Sequence, residues 1–112
     1  MSIAARPLFE ANQAPAATAT QYTVPTTTRT IIDKFTATNT SAGAVALTVY
    51  IVASLGIPAA GNTIISAKSL AAGETYTCPE MVSHILSAGS FISLFASAAG
   101  SITVRASGRE LT

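Results

Sequence analysis

The 112 residues include six basic and five acidic side chains, a net charge of +1, and only 10% are charged, where soluble domains average about 25%. That balance excludes electrostatic capture of nucleic acid or of an anionic membrane, and the basic residues are spread along the sequence rather than clustered. The length is that of one domain with a single modest core, burying roughly 65% of its unfolded surface.

In chain order, residues 1–20 stand apart. The stretch "RPLFEANQAPAATATQ" carries Pro7 and Pro15, few large apolar residues after Phe9, and an Ala/Thr-rich tail. Alone it cannot bury enough surface to order itself. Two readings follow: a loose terminus, or an extended arm that orders on a neighbour. The apolar start favours the arm, with Ile3, Arg6, Leu8 and Phe9 as its contact residues. This divides the chain into an arm over 1–20 and a domain over 21–112, and predicts that the chain folds without residues 2–18. The opening residues also lack the basic start and apolar core of a secretory signal.

From there the pattern is that of strands. "QYTV" and the Thr/Ile-rich "TRTIIDKFTAT" are β-branched runs. "AVALTVYIVA" alternates, with Val45, Leu47, Val49 and Ile51 on one face. "ETYTC" is a short run of the same kind. "FISLFAS" sets Ile92, Leu94 and Ala96 against Phe91, Ser93 and Phe95. "SITVRAS" places Ile102, Val104 and Ala106 inward and Thr103, Arg105 and Ser107 outward. Turn residues punctuate these runs at 39–43, 56–62, 71–73, 87–90 and 98–101. The fold class predicted is all-β, an antiparallel β-sandwich of jelly-roll-like type. The uncharged stretch Ala42–Gly61 has the length of a bilayer span, but Thr48, Ser54, Gly56 and Pro58 interrupt it and no anchors flank it.

Chemistry-bearing residues crowd at one place, "CPEMVSH", where Cys78, Glu80 and His84 fall within seven positions. One Cys and one His cannot close a structural zinc site, which needs four ligands. A Cys–His nucleophile pair would need an orienting third group and an oxyanion pocket that nothing marks. The simpler reading makes Cys78 a packed thiol at a strand end, Glu80 part of a connection and His84 a surface imidazole. Asp33 and Lys34, adjacent on a strand, should point to opposite faces, while Glu74 sits at a hairpin and Arg109 and Glu110 are expected exposed near the end of the chain. No catalytic, metal or cofactor residue is assigned, and no cofactor is implied.

The run "NTSAGAVALTVYIV" followed by "LAAGETYTCPEMVSHILSAGSFISLFASAAGSITVRASGRE" resembles a group of small tailed-bacteriophage virion proteins. The resemblance rests on Asn39-Thr40-Ser41, on Leu70, Gly73 and Thr75, on Pro79, Glu80, Val82, Leu86, Gly89 and Ile92, and on Ser107, Gly108 and Glu110. It covers about residues 21–111, departing at Ser90, where an Asp is expected. It implies a non-enzymatic virion β-sandwich, foremost a capsid decoration (cement) protein bridging capsomers. Its partners would then be the major capsid protein and copies of itself, as a homo-oligomer on the capsid surface, made in the host bacterial cytoplasm. A tail or head–tail connector component is the alternative, and a small ligand-binding module is an alternative of another class.

Overall fold

In a computed structural model that describes residues 2–112, alternating side chains build two antiparallel sheets packed face to face. Among the described residues the strands are β1 (Ile3–Gln13), β2 (Ala19–Thr23), β3 (Arg29–Asn39), β4 (Val45–Val52), β5 (Thr63–Leu70), β6 (Thr75–Tyr76), β7 (Ile85–Leu86), β8 (Phe91–Ala96) and β9 (Ile102–Leu111). The smaller sheet runs β2-β8-β4-β5; the larger runs β1-β9-β3, with both β6 and β7 on the far side of β3. β6 pairs at Ala37 and Thr38, β7 at Thr30 and Ile31, so the two are halves of one interrupted edge strand. Counted as one, they give the orders 1-8-3-6 and 2-7-4-5, the paired Greek keys of a jelly roll. The predicted fold class holds.

The core lies between the sheets. Ile92, Leu94 and Ala96 of β8 face Ile102, Val104 and Ala106 of β9, and all six are buried. Leu47 and Val49 of β4 and Ile32, Phe35 and Ala37 of β3 complete it. β3 would lose its phase without a break in register between Ile32 and Lys34. This bulge turns Ile32 and Phe35 inward and leaves both Asp33 and Lys34 exposed. The expectation of opposite faces for that pair is therefore corrected. Asp33 instead accepts two hydrogen bonds of 2.9 Å from Arg109, across the β3–β9 ladder.

The division at residue 20 is also corrected. β1 pairs with β9 from Ile3↔Leu111 to Gln13↔Thr103, and β2 already belongs to the smaller sheet; Met1 lies outside the described residues. A register break between Pro7 and Phe9 points both Leu8 and Phe9 into the chain's own core. There the Phe9 ring meets Phe35 edge-on at 5.5 Å. A strand 90 to 108 positions away supplies the burial that this segment lacks alone. Pro7 is tolerated because β1 is an edge strand.

The motif residues prove to be joints. The Asn39 side chain donates to the carbonyls of Gly43 (2.8 Å) and Leu70 (2.9 Å) and accepts from the Ser41 amide and hydroxyl. One buried amide thus ties the β3–β4 turn to the end of β5. Gly89, at φ +83°, lets the β7–β8 turn lie against Ser54, where a Cβ would come within 2.4 Å of the hydroxyl oxygen. No helix among the described residues is long and apolar enough to cross a membrane.

Candidate functional site

Residues 77–84 interrupt the β6/β7 edge strand. Cys78 and Ser83 both adopt positive φ (46° and 72°), which throws the loop inward and tucks Cys78 and Met81 fully into the core. Ser83 and His84 then rejoin the sheet through hydrogen bonds with the Ile32 backbone. Burial, helped by the Glu80 carboxylate, pushes the Cys78 thiol up to about 12, so it stays protonated at neutral pH. Glu80 accepts a hydrogen bond from the Tyr76 hydroxyl, which holds its carboxyl below the usual range. His84 is exposed. The sequence cluster is thus dispersed: a buried thiol, a turn carboxylate and a surface imidazole. Among the described residues no three His, Cys, Asp or Glu side chains gather as a metal ion requires.

Of the four predicted contact residues, the structure keeps only Ile3 and Arg6 at the surface, with Leu8 and Phe9 in the core. Arg6 reaches Glu110 at 3.2 Å. Glu110, expected exposed, is only 8% exposed and sits at the centre of a polar cluster. Its second carboxylate oxygen accepts from the Tyr22 hydroxyl at 2.5 Å, and Tyr22 in turn lies 2.7 Å from the Thr30 hydroxyl. Because Tyr22 stands on β2 and the others on the larger sheet, the cluster joins the two layers. Register explains the correction: Glu110 follows Val104, Ala106 and Gly108 on the inward row of β9.

Burial and the Glu110 carboxylate push the Tyr22 phenol up to about 12, from an ordinary 10.0. An acid held protonated in the fold stabilises fully below its unfolded value and loses that contribution as pH rises through the folded one. Urea midpoints should hold steady up to pH about 9, then fall between about 10 and about 12. Cys78, raised from 9.0 to about 12, adds to the same decline. Tyr22→Phe should be less stable at neutral pH but flatter across this window. An equally steep decline in that variant would remove Tyr22 from the account.

The large exposed aliphatic side chains among the described residues belong to segments at one end of the fold. Leu55 (99% exposed), Ile57 (75%), Ile85 (66%) and Ile3 (61%) come from the β4–β5 loop, β7 and the start of β1. Ile3 pairs with Leu111, Leu111 with Arg29, and Ile85 with Ile31, fixing Ile3 and Ile85 at one end of the larger sheet. Val52, Phe91 and Thr23 end the smaller sheet at the same level, and the loop bearing Leu55 and Ile57 projects beyond them. The molecule measures 46 × 26 × 19 Å along its principal axes. A cleft of about 350 Å³ opens at this end, lined by Thr27, Thr28, Arg29, Ser87, Ala88, Leu111 and Thr112. Sequence reading took 56–62 as a turn and overlooked Leu55, Ile57 and Ile85; the only local signal was aliphatic residues inside a turn-rich stretch.

No protein family description and no curated protein matches the chain. A chain in the solved structure of infectious bursal disease virus, Gx strain, is similar to it, with 14% identity and a TM-score of 0.44. The alignment covers 97% of this chain and 30% of that one, so the present chain spans less than a third of its neighbour's length. The fold assignment rests on this chain's own strand order.

Proposed function

We propose that this chain is a non-enzymatic structural protein of a tailed-bacteriophage virion, a decoration subunit that holds capsomers of the major capsid protein together. The observation that carries the reading is a charge-poor jelly roll that leaves Leu55, Ile57, Ile85 and Ile3 exposed at one end, apolar side chains suited to burial against another protein. Jelly rolls recur in viral capsid domains, an analogy of fold that adds only a little. The resemblance of the Asn39, Gly89 and Gly108 motifs to small virion proteins adds more, since each of those residues fixes a turn or a strand contact. Leu8 and Phe9 serve the chain's own core, so bridging depends on the folded body rather than on a swung arm. A subunit touching several neighbours gains effective concentration at each later contact, and binding only the assembled shell stabilises that shell. Copies of the chain and the capsid protein are the partners in this reading, on the outer capsid surface.

The test is sedimentation of purified protein with heads and with tails assembled without it. Binding to heads, with a gain in their heat resistance, is the expected result. Binding to tails alone would favour a tail or connector component, and binding to neither would refute a virion role.

A further inference from the structure

We infer that the outer face of the smaller sheet is the surface on which two copies of this chain meet, sheet against sheet about a two-fold axis. The inference deepens the decoration reading above, resting on its premise that copies of the chain are partners, and names the surface they share. The distribution of charge carries it, beginning in the sequence. Residues 11–28, 35–67 and 81–104 contain no Asp, Glu, Lys or Arg. The fold gathers these stretches: β2, β4 and β8 lie wholly within them and are neighbours in one sheet. Among the described residues only Lys68 of β5 brings a charge to that sheet, and its ammonium lies 5.1 Å over the Tyr76 ring, towards the other layer. The larger sheet is the opposite case, with Glu10, Asp33, Lys34, Arg105 and Arg109 exposed along β1, β3 and β9.

On the uncharged face, Phe91, Ser93 and Phe95 of β8 stand beside Val52, Tyr50 and Thr48 of β4. The three aromatic side chains are half-buried and lie outside the hydrophobic core. Tyr50 and Phe95 stack with ring centroids 6.3 Å apart. The hydroxyls between the rings already have partners: Ser93 shares a hydrogen bond with Thr20, and Thr48 accepts one from the Ala67 amide. Covering this face therefore leaves no charge unpaired, and its central hydroxyls keep their bonds.

Charge and area decide the occupant. A two-fold contact sets the same patch against itself, so any charge on it faces its own sign; a patch without charge escapes that penalty. A partner of ordinary composition, about a quarter charged, would instead bury groups that nothing on this face can pair. An anionic membrane finds no basic cluster here. Four strands of up to eight residues span roughly 20 × 25 Å, so two copies bury about 1,000 Å² together, the lower bound of a specific interface. That area suits a reversible dimer, reinforced where several contacts act at once.

The test is sedimentation equilibrium of the full chain alone, up to about 1 mM, for wild type, Phe95→Lys, Thr20→Lys and Thr103→Lys. Thr20 is exposed, so its variant keeps the fold should Phe95→Lys lose it, and melting of dilute samples checks both. Thr103, on β9 of the larger sheet, is the control. Wild type should dimerise, both variants on the uncharged face at least tenfold more weakly, and the control as wild type does. Wild type that stays monomeric throughout, folded Thr20→Lys that dimerises like wild type, or a control weakened equally overturns the proposal. Sedimentation with heads is read separately. Wild type that dimerises but ignores heads supports this interface and removes the decoration reading. Wild type that binds heads as a monomer, with binding lost in folded Thr20→Lys, assigns the face to the capsid protein and overturns the proposal alone.

Discussion

Removing residues 2–18 abolishes folding: the truncated chain should show no cooperative thermal transition by circular dichroism. The deletion takes away all of β1, and with it the buried side chains of Leu8, Phe9 and Ala14. Losing a buried Leu or Phe side chain costs roughly 2–5 kcal/mol each, against a total stability of about 5–15 kcal/mol. The backbone adds to this, because β9 would become an unpaired edge along ten residues. Phe35 would also lose its edge-on partner. A truncated chain that melts cooperatively near the wild-type temperature would show that β1 is dispensable and restore the arm. Phe9→Ala is the milder companion, expected to remain folded while losing roughly 3 kcal/mol in urea.

The second large effect is expected at Gly108. Its neighbour across the ladder is Ile32, at the start of the β3 bulge. A Cβ built on Gly108 would lie 2.1 Å from the Ile31 carbonyl oxygen and 3.3 Å from the Ile32 Cα. Both obstacles are backbone, so no rotamer change relieves them. Gly108→Ala must pry β9 from β3 beside the Glu110 cluster, costing roughly 3 kcal/mol or more by urea denaturation. Gly43→Ala is the control: its Cβ would meet open space, and the change should stay within about 0.5 kcal/mol. Equal stability of the two variants would mean that the strands do not approach so closely at Gly108.

The strands legible in the sequence are those whose alternation runs unbroken. Ile92, Leu94 and Ala96, and Ile102, Val104 and Ala106, are buried as their spacing predicts. β1 was hidden because its register breaks at Leu8 and again between Phe9 and Asn12, erasing the period of two. β5 was hidden likewise, since Ala67 sits at φ 46° and the pairing with β4 slips there. Asp33 and Lys34 were misassigned for the same physical reason: a bulge adds one residue, and local pattern cannot announce it. Glu110 read as a chain-end charge because its partner Tyr22 lies 88 positions away. The exposed aliphatic end was invisible for a related reason, its residues standing at positions 3, 55, 57 and 85. The packed thiol and the surface imidazole were legible too: Cys78, at the end of a strand-like run, is buried and His84 is exposed.

The split edge strand also bears on what the protein must avoid at high local concentration. Sheets elongate by self-templated addition when an edge presents a long, straight row of free amides and carbonyls. At one border of the larger sheet β6 and β7 offer only two residues each, separated by an inward-diving loop. At the other border Pro7 and two slips in register interrupt β1. Neither border of that sheet gives an incoming strand enough consecutive partners to seed a fibril.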